Sequence, residues 1–190
     1  MSVLVTGGAG YIGSHMVWRL TDAGEDVVVV DSLATGFDWA IAPEVPLVRG
    51  DCGDAALIDQ VITDHEVDAI IHFAGSIVVP ESVVDPLGYY FNNTVKSRAL
   101  IEAAVKGGVR HFIFSSTAAV YGTPEVFPVS EDAPLKPESP YGRSKLMTEM
   151  MLADTAAAHD ITYAALRYFN VAGADPKGRT GQSTRGATHL

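Results

Sequence analysis

Six short runs of apolar, mostly β-branched residues recur along this chain, at 3–6, 27–31, 47–49, 69–73, 111–116 and 162–167, and helix-like stretches separate them. The runs are solidly apolar rather than alternating, the pattern of strands buried on both faces of a parallel sheet. Strands that alternate with helices of ten or more residues build a doubly wound α/β fold. The expectation is therefore a Rossmann-type parallel sheet with helices on both faces.

The intervening helices carry their own start and stop signals. The first spans 10–23 and stops at Gly24, and the second spans 55–64 behind a capping Asp54. A third, over 86–106, begins with Asp85-Pro86 and ends at Gly107-Gly108, and Ser139-Pro140 opens a fourth that runs to 159. A capping side chain followed by proline at the first helical position is the usual entry to a helix. The apolar stripe expected to face the core in the last helix is Leu146, Met150, Ala153 and Ala157. From Gly173 onward the chain is rich in turn residues, which suggests a Rossmann domain over 1–172 and the incomplete start of a further region over 173–190.

Composition excludes several classes of function. Thirteen basic residues against 23 acidic ones give a formal net charge of −10, with no basic stripe for nucleic acid. Cys52 is the only cysteine, so an internal disulfide is impossible and a reducing cytoplasm suits the chain. No run of about eighteen apolar residues offers a membrane span. The six histidines, at 15, 65, 72, 111, 159 and 189, show no metal-ligand spacing, and no metal is expected.

The chemistry-bearing residues sit at the junctions. Thr6-Gly7-Gly8-Ala9-Gly10-Tyr11-Ile12-Gly13 follows the first strand and opens the first helix. Glycines at 7, 10 and 13 allow a sharp turn, close approach of a diphosphate and tight helix–strand packing, while the helix start favours an anion. Asp31 closes the second strand, where a carboxylate accepts ribose hydroxyls. No arginine follows it to receive a 2′-phosphate, so NAD is expected over NADP. Ser115-Ser116-Thr117 ends the fifth strand, the edge at which open α/β sheets bind ligands. Tyr141 and Lys145 follow at i, i+4, which puts phenol and ammonium on one helix face. The Lys145 cation, with the nicotinamide charge, is expected to lower the Tyr141 pKa and make a base of it.

Taken together, TGGAGYIGSH (6–15), HFAG (72–75), PESV (80–83), NNT (92–94), FSSTAAVYG (114–122), SPYGRSK (139–145) and RYFNVAGADP (167–176) resemble the UDP-hexose 4-epimerases of the extended short-chain dehydrogenase/reductase family. The resemblance implies that Gly7, Gly10, Tyr11, Ile12 and Gly13 line the NAD diphosphate, with Asp31 and Ser32 near the adenosine ribose. It implies Asp51 and Cys52 beside the adenine, Phe73, Ala74, Gly75 and Asn92 along the diphosphate and nicotinamide ribose, and Ser115 and Tyr168 toward the nicotinamide. Thr117, Tyr141 and Lys145 take the catalytic positions; Tyr141 and Lys145 also touch NAD, and Thr117, Tyr141 and Asn170 meet the UDP-sugar. The implied reaction is reversible inversion at C4 of a UDP-hexose, UDP-galactose to UDP-glucose, through a 4-keto sugar. A homodimer through the 86–106 and 139–159 helices is implied as well, with Leu87, Tyr90 and Phe91 in the contact.

Three departures are visible: Thr117 stands for a frequent serine, Ile77 for a lysine and Ser32 for an asparagine. The sister 4,6-dehydratases carry an Asp-Glu pair where this chain has Ala118 and Ala119. A non-catalytic NAD-binding module is the alternative from another class, although such relatives usually lose the tyrosine or the lysine. Family members run well beyond this length, with most of the sugar-nucleotide domain C-terminal, so the chain on its own is expected to be inactive.

Overall fold

The computed structural model describes residues 1–184, and 185–190, the end of the expected 173–190 region, lie outside the described residues. Six strands form one all-parallel sheet: β1 (Ser2–Thr6), β2 (Asp26–Asp31), β3 (Leu47–Arg49), β4 (Ala69–His72), β5 (His111–Ser115) and β6 (Thr162–Leu166). Their order is β3-β2-β1-β4-β5-β6, so the sense in which strands are added reverses between β1 and β4 while all stay parallel. That reversal is the switch point at which such sheets bind ligands outside their carboxyl ends.

Successive side chains on the central strands point to opposite faces. Leu4, Val28, Ile70, Phe112 and Phe114 join Ile58 of α2 (Ala55–Asp64) and Leu152 on one side, whereas Val3, Val5, Val29 and Ile71 meet Val17 of α1 (Tyr11–Asp22) on the other. Burying each such Leu, Ile or Phe side chain contributes about 1.5–3 kcal/mol. The expectation of burial on both faces fails at β6, which lies at the sheet edge and is exposed along most of its length.

The region expected as one helix over 86–106 is three pieces, preceded by a short helix α3 (Val79–Val84) that the sequence pattern did not suggest. These are α4 (Pro86–Tyr90), a π-turn over Phe91–Val95, and α5 (Lys96–Lys106). Asp85 caps α4 through the Gly88 N–H at 3.0 Å. In α6 (Pro140–Ala158), capped by Ser139 at the Gly142 N–H, the buried face is not the expected Leu146, Met150, Ala153 and Ala157. It consists of Gly142, Ser144, Lys145, Thr148, Glu149 and Leu152, because this helix packs against a polar site as well as a core.

The turn-rich segment after Gly173 is fastened to α1. Tyr11 donates its hydroxyl to the Gly173 carbonyl at 2.6 Å, and Ser14 and Thr180 pair at 2.7 Å. Arg179 lies over the Trp18 ring at 4.1 Å and bridges Asp22 and Asp175. No helix among the described residues is long and apolar enough to cross a membrane.

Candidate active site and dinucleotide cradle

The glycine turn has the geometry its spacing predicts. Gly7 adopts φ +72, and a Cβ there would stand 2.5 Å from the Ala74 amide nitrogen. A Cβ on Gly13 would fall 2.2 Å from the Gly7 carbonyl oxygen, so α1 reaches the turn only with hydrogen at that place. The start of α1 has neither a side-chain cap nor an acidic residue in its first turn, which leaves its positive end, with Gly10, Tyr11 and Ile12, to an anion. Phe73 and Ala74 lie alongside, both amides donating to the Thr6 carbonyl, and Gly75 follows. This cradle fits the diphosphate of a dinucleotide.

Asp31 is nearly buried and already organised. Its carboxylate accepts from the Ala9 amide at 2.9 Å and the Leu33 amide at 2.8 Å, and lone pairs remain for a ribose. Ser32, beside it, is exposed. Asp51 is held by Lys96 at 2.5 Å and by the Gly53 amide; burial pushes its carboxyl up, but Lys96 and that amide outweigh it and the pKa lies below the usual value. Cys52 is buried and its thiol is pushed up to about 11, chiefly by desolvation, so it acts as a small apolar wall. Ile77 is exposed and supplies no charge.

The structure brings Thr117, Tyr141 and Lys145 together between the end of β5 and the first turns of α6. Gly142 permits this approach, since a Cβ there would meet the Ala119 carbonyl at 2.9 Å. Lys145 is buried, donates to the Ser115 carbonyl at 3.0 Å and lies over the Phe114 ring at 4.9 Å; desolvation lowers its pKa to about 8. The protein's own groups raise the Tyr141 pKa, whereas the expected lowering counts the nicotinamide charge as well. Burial of the phenol is the main cause, and a hydrogen bond with the Thr117 side chain opposes it. Ser115 and Tyr168 pair through their hydroxyls, and burial raises the Tyr168 phenol. Asn170 is exposed beyond the end of β6.

Two buried residues that tie the site together, Asn93 and His72, were not among the candidate site residues. Asn92 donates to the Ser76 hydroxyl at 2.8 Å, but its neighbour Asn93 is the buried organiser. Asn93 accepts from the Ser76 amide at 2.7 Å and donates to the Ser76 carbonyl and the Ser144 hydroxyl. Its main-chain carbonyl accepts from Ser97 and Thr148, contacts made possible by the π-turn. The single proton of the Ser97 hydroxyl goes to Asn93, so His72 Nε2–H donates to Ser97 at 2.8 Å and His72 Nδ1 accepts from Thr6 at 2.6 Å. Burial, with the Lys145 charge second, lowers the His72 pKa to about 3 and keeps the ring neutral. This chain of bonds runs from the strand end before the glycine turn to α6. The NNT triplet, of which Asn93 is the middle residue, and the HFAG run that His72 opens were the available signals.

A glycine-cradled helix start at the switch point of a parallel sheet, with Thr117, Tyr141 and Lys145 gathered at the same carboxyl edge, defines a Rossmann-type protein. The chain belongs to the NAD dependent epimerase/dehydratase family, whose model matches residues 3–189. It is 62% identical over 188 residues to the UDP-glucose 4-epimerase of Azospirillum brasilense, covering 99% of this chain and 54% of that protein. It superposes on the crystal structure of UDP-glucose 4-epimerase from Brucella ovis in complex with NAD with a TM-score of 0.96 at 43% identity, covering 100% of this chain and 58% of that one. For the Bifidobacterium longum enzyme in complex with NAD+ and UDP the TM-score is 0.93 at 38% identity, with 98% and 58% covered. The chain thus spans a little over half the length of these relatives.

Proposed function

We propose that this chain supplies the NAD-binding and acid–base half of a UDP-glucose 4-epimerase. The observation that carries the reading is the convergence of Thr117, Tyr141 and Lys145 at the carboxyl edge of the sheet, beside a cradle whose glycines admit a diphosphate. The relatives whose solved forms hold NAD, or NAD+ and UDP, support the same ligands here.

NAD, when bound, supplies the hydride acceptor and donor for C4 of the sugar. Gly7, Gly10, Tyr11, Ile12 and Gly13 take its diphosphate and Asp31 with Ser32 its ribose. Asp51 and Cys52 flank the adenine, and Phe73, Ala74, Gly75, Asn92, Ser115 and Tyr168 border the remainder. Tyr141 withdraws the proton of the sugar 4-hydroxyl and returns it to the same oxygen when C4 of the 4-keto sugar is reduced on its opposite face. Thr117 hydrogen-bonds the reacting oxygen, and the Lys145 ammonium stabilises the phenolate once the positive nicotinamide is adjacent. Asn170 holds the sugar nucleotide from the far side. Ala118 and Ala119 provide no acid or base for eliminating water, which favours epimerisation over 4,6-dehydration.

Residues 1–172 constitute the cofactor domain, and 173–190 begin the substrate region. A second copy of the chain covers the exposed apolar side chains of Val83, Val84, Leu87, Phe91, Val95, Met147 and Met150, which α3 through α6 present together. Tyr90 is half-buried at the rim of this patch. A reducing cytoplasm is the compartment we infer from the single cysteine. The test is incubation of a chain carried to the length of its relatives with UDP-galactose and no added NAD. Conversion to UDP-glucose is the expected outcome; no conversion by NAD-loaded protein would refute the assignment.

A further inference from the structure

Two turns beyond Tyr141 and one beyond Lys145, α6 buries a carboxylate that touches none of the three reactive groups. Glu149, 7% exposed at its side chain, receives the Arg167 fork: Nε donates to both oxygens at 3.1 and 3.0 Å, and a terminal nitrogen donates to Oε2 at 2.6 Å. Ser116 also donates its hydroxyl to Glu149. Arg167 continues to the Tyr121 hydroxyl at 2.9 Å and the Glu131 carbonyl at 3.2 Å, and it lies over the Tyr121 ring at 5.2 Å.

These bonds enclose Thr117. Lys145 grips the carbonyl of Ser115 and Glu149 the hydroxyl of Ser116, so α6 holds the two residues immediately before Thr117. On the other side, the Ala118 amide donates to the Tyr168 carbonyl at 3.0 Å, and Tyr121, tied to Arg167, closes the turn that begins at Ala118. A buried ion pair contributes little net stability relative to apolar packing, because desolvation offsets much of its Coulombic gain. What a bidentate, fully bonded pair does supply is fixed geometry.

We propose that Glu149, with Ser116 and Arg167, is a positioning group that holds the Thr117 hydroxyl at Tyr141 for proton transfer. This rests on the reading of Tyr141 as the base. Thr117 is the hydrogen-bond partner that draws the Tyr141 pKa down against burial, so displacing Thr117 makes the base ionise at higher pH. A displaced reacting group costs catalysis rather than binding.

The experiment uses the chain at the length of its relatives, loaded with NAD, and compares Ser116→Ala, Glu149→Gln, Thr117→Ala and the double variant Glu149→Gln/Thr117→Ala. Glu149→Gln and Ser116→Ala should lower kcat about tenfold or more with KM and bound NAD unchanged. Both should also move the acid limb of the kcat–pH profile to higher pH. The double variant should be no slower than Thr117→Ala alone, because Glu149 acts through Thr117. Wild-type kcat and pH profile in Ser116→Ala and Glu149→Gln would overturn the proposal, as would losses that multiply in the double variant. Ser116→Ala leaves the Glu149–Arg167 pair intact, so it decides the matter where Glu149→Gln does not fold. Tyr141→Phe serves as control: activity in that variant refutes the base assignment, independently of Glu149.

Discussion

The β1–α1 junction and the β5–α6 junction lie at the same carboxyl edge of the sheet with β4 between them, yet they are built on opposite terms. At β1–α1 the groups proposed to bind are main-chain amides, and the sequence supplies absence of side chain: Gly7 and Gly13 meet backbone where a Cβ would stand 2.5 and 2.2 Å away. At β5–α6 the groups are side chains, and the helix buries Ser144, Lys145, Thr148 and Glu149 where a packing helix would bury leucine. Backbone sites are recognisable by glycine spacing, and side-chain sites by polar residues that have gone inside.

If that contrast holds, the largest effect belongs to the second junction. Tyr141→Phe should lower turnover by about 10²–10⁴-fold, the scale of general acid–base catalysis, while bound NAD stays at its wild-type level. At the first junction, Asp31→Asn should weaken NAD about ten- to a hundredfold, corresponding to about 1.5–3 kcal/mol for hydrogen bonds to a charged group; a titration of NAD against the variant checks this. Gly13→Ala should destabilise the fold by about 1–3 kcal/mol, because its Cβ meets a carbonyl that has no room to give. Thermal unfolding would show this, and an unchanged midpoint would remove the packing argument.

The two junctions are joined by the bonded chain through His72, and this has a pH consequence. The folded ring, with a pKa near about 3, stays neutral, whereas the unfolded ring protonates at its ordinary value of 6.5. Its contribution to stability is therefore complete above pH 6.5 and is lost as pH falls from there toward 3. The loss should be about 1.4 kcal/mol per pH unit in that window, readable from denaturant midpoints between pH 7 and pH 5. A flat profile would mean that the His72 ring is not held buried and neutral in solution.

Much of this architecture was legible because its signals are local. Asp54 and Asp85 cap the helices they were expected to cap, and the apolar runs match the strands to within a residue or two. Tyr141 and Lys145 stand out by helical spacing and Ser115 by its place at a strand end, but Asp51, Cys52 and Tyr168 entered only through family resemblance, since nothing in their own neighbourhoods marks them. The α6 stripe was misread because Lys145, Thr148 and Glu149 look solvent-facing to any rule that sends apolar residues inward. The upward push of burial on Tyr141 was not legible, because spacing to a cation is visible in a sequence and burial of the phenol is not. The Arg179 clamp on Asp22 and Asp175, like the π-turn that turns Asn93 inward, depends on contacts between distant segments.

The central claim is that binding and chemistry separate between the two junctions. Its most direct test measures NAD content and turnover together for Asp31→Asn and Tyr141→Phe, in a chain carried to the length of its relatives, with and without excess NAD. The account predicts a crossed result: Asp31→Asn loses NAD and recovers turnover when NAD is supplied, whereas Tyr141→Phe keeps NAD and recovers nothing. Loss of NAD from Tyr141→Phe, or an Asp31→Asn variant that saturating NAD does not restore, would contradict it.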